Sequence, residues 1–339
     1  MLVACGEDGD EASADAEQEL ADVVKVFTWA EYFDEDVIQG FTEKYGVEVV
    51  VDFFSSNQEM YTKLQSGAID YDVAFPTDYF VKKMIEDDML LEIDYDVVEN
   101  IKYIDEALLD QDFDPGNVYS VPYAFGSTGI VYNEKYTGEV DSWEDLFNPE
   151  FKGKVIMNED SRELFTMAFQ MLGVDINDPS QEDIDAATEL IAELHENVFA
   201  YDSTPMAQFI SEEAWIGLGY SDGAVQVMVD NPNVRYTLPK EGGSLWMDNF
   251  VIPKTTKNKY TAEMFINYLL EPEVSMENSV SVGFGNPNKA AVELMDEEIR
   301  NNEAAYPPPE AIENAAWFEV LDSSILNQFN QAVNEIKTR

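Results

Sequence analysis

Cysteine, histidine and positive charge are all scarce in this chain. Its 339 residues include one cysteine, Cys5, one histidine, His195, and 19 lysines and arginines, of which four are arginine. A single cysteine rules out an intrachain disulfide. With only one histidine beside it, the common zinc sites are excluded as well. "GYSDG", residues 219–223, matches the G-x-S-x-G pattern of a nucleophile elbow, but the acid and histidine serving Ser221 would have to follow it in the chain. His195 precedes it, in the helix-like "ELIAELHENV", where it reads as a helix-surface or last-turn residue. A serine hydrolase is therefore disfavoured, and Gly219 and Gly223 read as a tight turn. So few cations cannot neutralise phosphates, which disfavours nucleic acid as a partner. An anionic solute would want arginine in its site, and Arg162, Arg235, Arg300 and Arg339 are all there are. Nor does any segment approach the ~20 consecutive apolar residues of a transmembrane helix.

What is abundant is acid. Asp and Glu total 69, so the formal net charge is −50, while 45% hydrophobic and 12% aromatic residues leave ample material for packed cores. The length suits two domains. Acidic residues run along the whole chain, which reads as a surface adapted to high salt, where self-repulsion is screened. A cation-binding site would need only a few of them. Near the start, "LVACG" is followed by the acidic, low-complexity "EDGDEASADAEQELAD". This resembles the lipobox of bacterial lipoproteins, in which the cysteine is lipidated and a flexible tether follows. Residues 1–22 are therefore expected to anchor an exported protein to a membrane through Cys5.

Beyond the tether, strand-like and helix-like runs alternate. "VVKVFTWAEYF" reads as a short β-rich run, "VEVVVDFFS" and "YDVAFPT" as strands, and "DEDVIQGFTEKYG", "NQEMYTKLQSG" and "DYFVKKMIEDDML" as the helices between them. The pattern resumes at "GKVIMNED", "SRELFTMAFQMLG" and "EDIDAATELIAELHENV". Near the end "TAEMFINYLLEP" and "PNKAAVELMDEEIR" both read as helix. Such alternation predicts parallel, doubly wound sheets in an α/β fold of two lobes, with ligands at the carboxyl ends of strands.

Several stretches could carry chemistry. In "SLWMD", Trp246 and Asp248 lie two apart, on one face of a strand. Asp160 and Glu163 in "NEDSREL" have the spacing of a capping box and could equally line the mouth of a cleft. "DQDFDPGN", residues 110–117, spaces carboxylates like a calcium loop. It has Pro115 where that loop needs glycine and Val121 where it needs glutamate, so it reads as a turn. Trp29, Tyr32, Tyr79, Tyr220, Trp246 and Phe284 each sit at a predicted element edge beside a Gly, Pro or acid. Aromatic faces combined with carboxylates are how a protein holds alkylammonium ions.

"FTWAEYF", "YDVAFPTDYFVKKM", "DSRELFTMAFQMLG" and "PKEGGSLWMDNFVIP" together resemble the spermidine/putrescine-binding proteins of polyamine ABC transporters, from about residue 24 to the end. "GGSLWMD" with "DSRE" is the specific part. The resemblance implies a two-lobed type II periplasmic-binding fold that closes on an extended polyamine. It implies a monomer that meets ABC permease subunits, catalyses nothing, and needs no cofactor or metal. It assigns Trp29, Tyr32, Tyr79 and Trp246 to aromatic walls, and Glu31 and Thr77 to polar contacts. Asp160, Glu163 and Asp248 become the counter-ions. Four departures bear on specificity: Ala30 where Thr or Ser is usual, Tyr220 for Trp, Phe284 for Tyr, and Phe318 for Gln. Tyr220, Phe284 and Phe318 are kept as ligand-contacting positions, and the choice between spermidine and putrescine stays open. Lobe 1 is expected to comprise 23–127 plus 248–290, and lobe 2 128–247 plus 291–339. The alternatives are a binding protein of the same fold for another small solute, or a carboxylate-pair hydrolase.

With the charge screened only by salt, circular dichroism should show the fold weakening as salt is diluted out. A signal indifferent to salt would remove the adaptation argument.

Overall fold

A computed structural model describes residues 19–30 and 32–338. Cys5, the tether up to residue 18, and Glu31 lie outside the described residues. The strands are β1 (Val23–Trp29), β2 (Glu48–Phe54), β3 (Val73–Ala74), β4 (Ser120–Asn133), β5 (Val155–Met157), β6 (Val198–Tyr201), β7 (Ile216–Tyr220), β8 (Val234–Thr237), β9 (Ser244–Val251) and β10 (Ala316–Trp317). They hydrogen-bond in the order β2-β1-β3-β9-β4-β7-β5-β6, with β10 added on β9 and β8 on β4.

The outer pairs are parallel, as the alternation predicts: β1 with β2 and β3, and β5 with β6 and β7. The inner joins, β3–β9, β4–β9, β4–β7 and β4–β8, are antiparallel. The reason is the length of β4. Its first half pairs with β9 from Ser120↔Val251 to Thr128↔Ser244, and its second half with β7 and β8. One strand thus belongs to two halves of the molecule.

Each half has its own apolar core. Val26, Phe41, Phe75, Phe250 and Phe265 anchor one, and Trp143, Leu164, Phe165, Ile216 and Phe329 the other. Helix ends obey local rules. Asp34 caps Glu35–Tyr45 by accepting from Asp36 N, and Gly46 closes it in the left-handed region at φ 74°. After Asn288 the chain stays with the first core. Helix Lys289–Leu294 packs on helix Pro272–Val282 and the turn Glu99–Tyr103, and Tyr306 lies against Phe125. By Asn314, whose Nδ2 donates to Lys240 O at 3.0 Å, it has reached the second half.

Some sequence expectations change shape here. "YDVAFPT" contributes only two residues of strand: Pro76 has no N–H to donate, though its carbonyl accepts from Asn249 N at 2.9 Å and pairing with β9 resumes as the bridge Thr77↔Asp248. "PNKAAVELMDEEIR" forms two short helices, Lys289–Leu294 and Glu297–Arg300. "GYSDG" contains no turn: β7 ends at Tyr220 and helix Ser221–Asp230 starts at the next residue. Glycine is needed at 219 for another reason, since an added Cβ would lie 2.9 Å from Val131 Cγ2. "DQDFDPGN" is a turn built around Asp114, whose buried carboxylate accepts from Val118 N, Tyr119 N, Ser120 N and Ser120 Oγ.

The two halves face each other across a cleft floored by β4 and β9. Helix Ser221–Asp230 meets helix Pro272–Val282 at its rim, where Gln226 Nε2 donates to Val282 O. Gly283 makes that approach possible. It sits at φ 96°, and a Cβ there would come within 2.6 Å of Asp222 O. On the floor, Gly126 pairs with Trp246, and a Cβ would lie 2.4 Å from the indole Cζ2. Gly126→Ala should therefore cost about 1–3 kcal/mol of stability and displace the Trp246 ring. A lowered melting temperature with altered tryptophan fluorescence would confirm this, and wild-type behaviour in both would contradict it.

Candidate functional site

Trp246 and Asp248 do share one face of β9, both buried, at the centre of the cleft floor. Asp248 is the hub. Its Oδ2 accepts from Tyr32 Oη at 2.5 Å, and its Oδ1 from Thr77 Oγ1 at 2.7 Å. Each donor is itself held. Tyr123 Oη bonds Tyr32 O at 2.7 Å, and Asn57 bonds Thr77 through Nδ2 to Oγ1 at 2.9 Å and Oδ1 from the Thr77 amide at 3.0 Å. Burial pushes the Asp248 carboxyl up to about 7, against the pull of the two hydroxyls.

Two more buried carboxyls stand near it. Glu163 lies on helix Ser161–Leu172 and accepts from Thr128 Oγ1 at 2.9 Å and from Ser244 Oγ at 2.9 and 3.0 Å. Burial, with Asp160 adding to it, raises Glu163 to about 8. The capping box is thus half formed. Asp160 caps the helix, its Oδ1 accepting from Arg162 N at 2.8 Å, while Glu163 turns into the cleft floor instead of reaching back. The third carboxyl, Asp78, accepts from Met247 N at 3.2 Å and is also raised to about 8, chiefly by burial. The sequence reading passed over Asp78, since an acid in a helix's first turn is ordinarily explained by the helix dipole. Asn57, Thr128 and Ser244 were passed over because short polar residues carry no pattern.

The rings stand around these acids. Tyr220 meets Trp246 edge to face with centroids 6.4 Å apart, and Trp29 meets Phe54 at 4.4 Å while its Nε1 donates to Phe75 O at 3.1 Å. Tyr79 and Phe318 meet edge to face across the cleft at 5.8 Å. Phe318 also carries the Arg162 guanidinium over its ring at 4.6 Å. Phe284 is buried behind Tyr32, in contact with the rings of Tyr32 and Tyr123. The aromatics do not all follow strands. Tyr79 lies in the first turn of helix Asp78–Glu86, and Phe284 just after helix Pro272–Val282. Of the expected site residues, Tyr32, Thr77 and Asp248 are joined by hydrogen bonds, Tyr220 meets Trp246, and Tyr79 meets Phe318.

Among the described residues, Asp78, Asp160, Glu163 and Asp248 form no salt bridge, since every ion pair made by lysine or arginine lies elsewhere. Arg162 is the cation beside them. Its Nη2 donates to Asn177 Oδ1 at 2.8 Å, while its charge still favours the ionised forms of Asp160 and Glu163. Asp78 and Asp248 are buried with no cation acting on them, and such carboxylates are costly to ionise, so the arrangement suits a cation brought from outside. No cluster of His, Cys, Asp and Glu among the described residues could hold a metal ion. No described helix is long and apolar enough to cross a membrane.

Residues 36–307 match the family model of bacterial extracellular solute-binding proteins. The chain is 35% identical over 313 residues to a spermidine/putrescine-binding periplasmic protein of Escherichia coli, covering 90% of this chain and 89% of the relative. The solved structure described as a spermidine/putrescine ABC transporter from Listeria monocytogenes superposes with a TM-score of 0.89 at 33% identity, over 94% of this chain and 99% of that one. A lipoprotein of Treponema pallidum superposes at 0.81 with 25% identity, over 94% and 100%.

The raised carboxyls have a consequence for stability. Asp78, Glu163 and Asp248 titrate at about 7–8 in the fold and near 4 in an unfolded chain. Protonation therefore favours the folded state. The stabilisation is complete below about pH 4 and is lost as pH rises through the folded values. The melting temperature of the ligand-free protein should fall between pH 6 and pH 9, less steeply in Glu163→Gln. Identical slopes in the two proteins would contradict the placement of a buried acid at 163.

Proposed function

We propose that this chain, which belongs to the bacterial extracellular solute-binding proteins, captures a polyamine such as spermidine or putrescine and delivers it to an ABC permease. Belonging to that family makes it an extracytoplasmic transport component with the two-lobed type II fold. The single observation that carries the ligand class is the set of cleft carboxyls outside any salt bridge, Asp78, Glu163 and Asp248 among them buried, beside aromatic faces. Asp248 and Glu163 would take ammonium groups, Asp160 a terminal amine at the cleft mouth, and Trp29, Tyr79, Tyr220 and Trp246 the methylenes and cation–π contacts. Tyr32, Thr77 and Glu31 would complete the polar end, Phe318 the wall opposite Tyr79, and Phe284 support Tyr32 from behind.

The magnitudes suffice. Charge-assisted hydrogen bonds contribute ~1.5–3 kcal/mol each and cation–π contacts ~0.5–2. After association costs, these reach the roughly 8 kcal/mol of a micromolar complex. Binding requires the carboxyls to ionise, so capture would release protons near neutral pH and tighten as pH rises from 6 to 8.

The lobes would divide where β4 and β9 cross, near residues 127 and 248. Packing favours keeping 291–306 with lobe 1 and only the later residues with lobe 2. The protein would act as a monomer without catalysing a reaction, held to a membrane by lipid on Cys5. The "LVACG" stretch and the likeness to a lipoprotein support that anchor.

Isothermal titration calorimetry against spermidine, in high salt, tests the reading. Saturable one-to-one binding is expected. Asp248→Ala and Trp246→Ala should each weaken it by about a hundredfold with the fold intact. Unchanged affinity in both would refute the site.

A further inference from the structure

We propose that the cleft continues past Tyr220 into an outer chamber that takes the far arm of a polyamine with more amines than spermidine. The inference rests on the polyamine reading above and deepens it by naming the length of ligand.

Two cavities lie side by side at the rim of the cleft. The inner one, of about 70 Å³, is walled by Ala30, Tyr220, Asp222 and Gly223. The outer one, of about 520 Å³, is walled by Tyr32, Asp34, Glu35, Ile38 and Phe53, within the size range of small-molecule sites. Met206 and Gln226 line both, so these two side chains are what stands between the chambers. Each shares one ring with the site already described: Tyr220, set edge-on to Trp246, lines the inner one, and Tyr32, the donor to Asp248, lines the outer.

The walls have the chemistry of an extended amine. Apolar side chains (Ile38, Phe53, Met206) alternate with carboxylates at 34, 35 and 222, and no lysine or arginine lines either cavity. Phe53 is 55% exposed, a large apolar ring left at the surface of a highly acidic protein. The Asp34 carboxyl is held below its usual range by Ser281 and the amide of Asp36, so it stays charged where Asp248 and Glu163 take up protons. The outer chamber therefore offers permanent negative charge at a distance from the titrating floor.

The space is made by missing side chains. Ala30 is small, and Gly223 lies inside helix Ser221–Asp230, where glycine costs roughly 0.5–1 kcal/mol relative to alanine. A Cβ added at Gly223 would meet nothing within 4 Å. Neither packing nor backbone conformation requires glycine there, and what its absent side chain leaves is the inner chamber.

The test is calorimetry of the full chain in high salt against putrescine, spermidine and spermine. Spermine should bind at least about tenfold tighter than spermidine, the return of one added charge-assisted contact. Gly223→Leu, whose Cβ would meet nothing within 4 Å, should fill the inner chamber and abolish that advantage while leaving putrescine within about twofold. Gly223→Met, with an unbranched and more adaptable side chain at the same position, serves if the first variant does not fold. Spermine no tighter than spermidine, or a filling variant that weakens every ligand equally, would overturn the outer chamber and leave the polyamine site standing. No binding by any of the three would overturn both.

Discussion

The structure turns on keeping a carboxylate, Asp248, inside a protein with no counter-charge beside it. A buried ion is tolerated only when hydrogen bonds replace its water. Here two hydroxyls do so, and each is positioned by a further layer. Asn278 Nδ2 donates to Tyr123 Oη at 2.7 Å, Tyr123 to the Tyr32 carbonyl, and Tyr32 to Asp248. On the other side Asn57 fixes Thr77. A chain of bonds thus runs from helix Pro272–Val282 to the cleft floor, and the rings of Phe284, Tyr123 and Phe75 pack Tyr32 in place. Aromatic packing and polar positioning are here one device.

The same economy explains the use of β4 and β9. A cleft between two lobes must join walls that move relative to one another without losing its floor. Both long strands run through the join, and Glu163 is tied to each of them, to Thr128 on β4 and Ser244 on β9. The acid of one half is therefore referenced to the strands that carry Trp246 and Asp248. Across the top, the contacts between halves are few and local: Tyr79 on Phe318, and Gln226 on the Val282 carbonyl. Contacts of this kind would break and re-form about an intact floor if the proposed capture closes the cleft.

Two kinds of negative charge coexist and do different work. The surface acids set the solubility and salt response of the whole molecule. The few inside the cleft act because they are removed from water, where a charge is felt far more strongly than at the surface. A net charge of −50 conceals the second group in the first, so counting acids along the chain could not separate them. Burial does, by raising Asp78, Glu163 and Asp248 toward neutrality, while surface carboxylates are lowered by their hydrogen bonds, Glu59 chiefly by Ser55 and then Lys63, Asp87 by Tyr61 and then Lys83.

Much of this was legible in the sequence. Alternating apolar runs, caps such as Asp34 and closing glycines such as Gly46 determine the elements, because helix and strand periodicity are local properties. The two-residue spacing of Trp246 and Asp248 determines that they share a face. The run of motifs from "FTWAEYF" to "GGSLWMD" carries the family. What only the tertiary structure decided is which groups lose their water and which meet across the chain. Asp78 and Asp160 are both acids at a helix start, yet one is buried on the Met247 amide and the other open to solvent. Phe284 and Tyr220 both looked like ligand-facing rings at element edges, yet one packs behind Tyr32 and the other stands at the cleft. Gly223 read as a turn and is a gap in a helix. Burial and long-range pairing belong to the packed molecule, since they depend on residues a hundred or more positions away, and no window along the chain contains them.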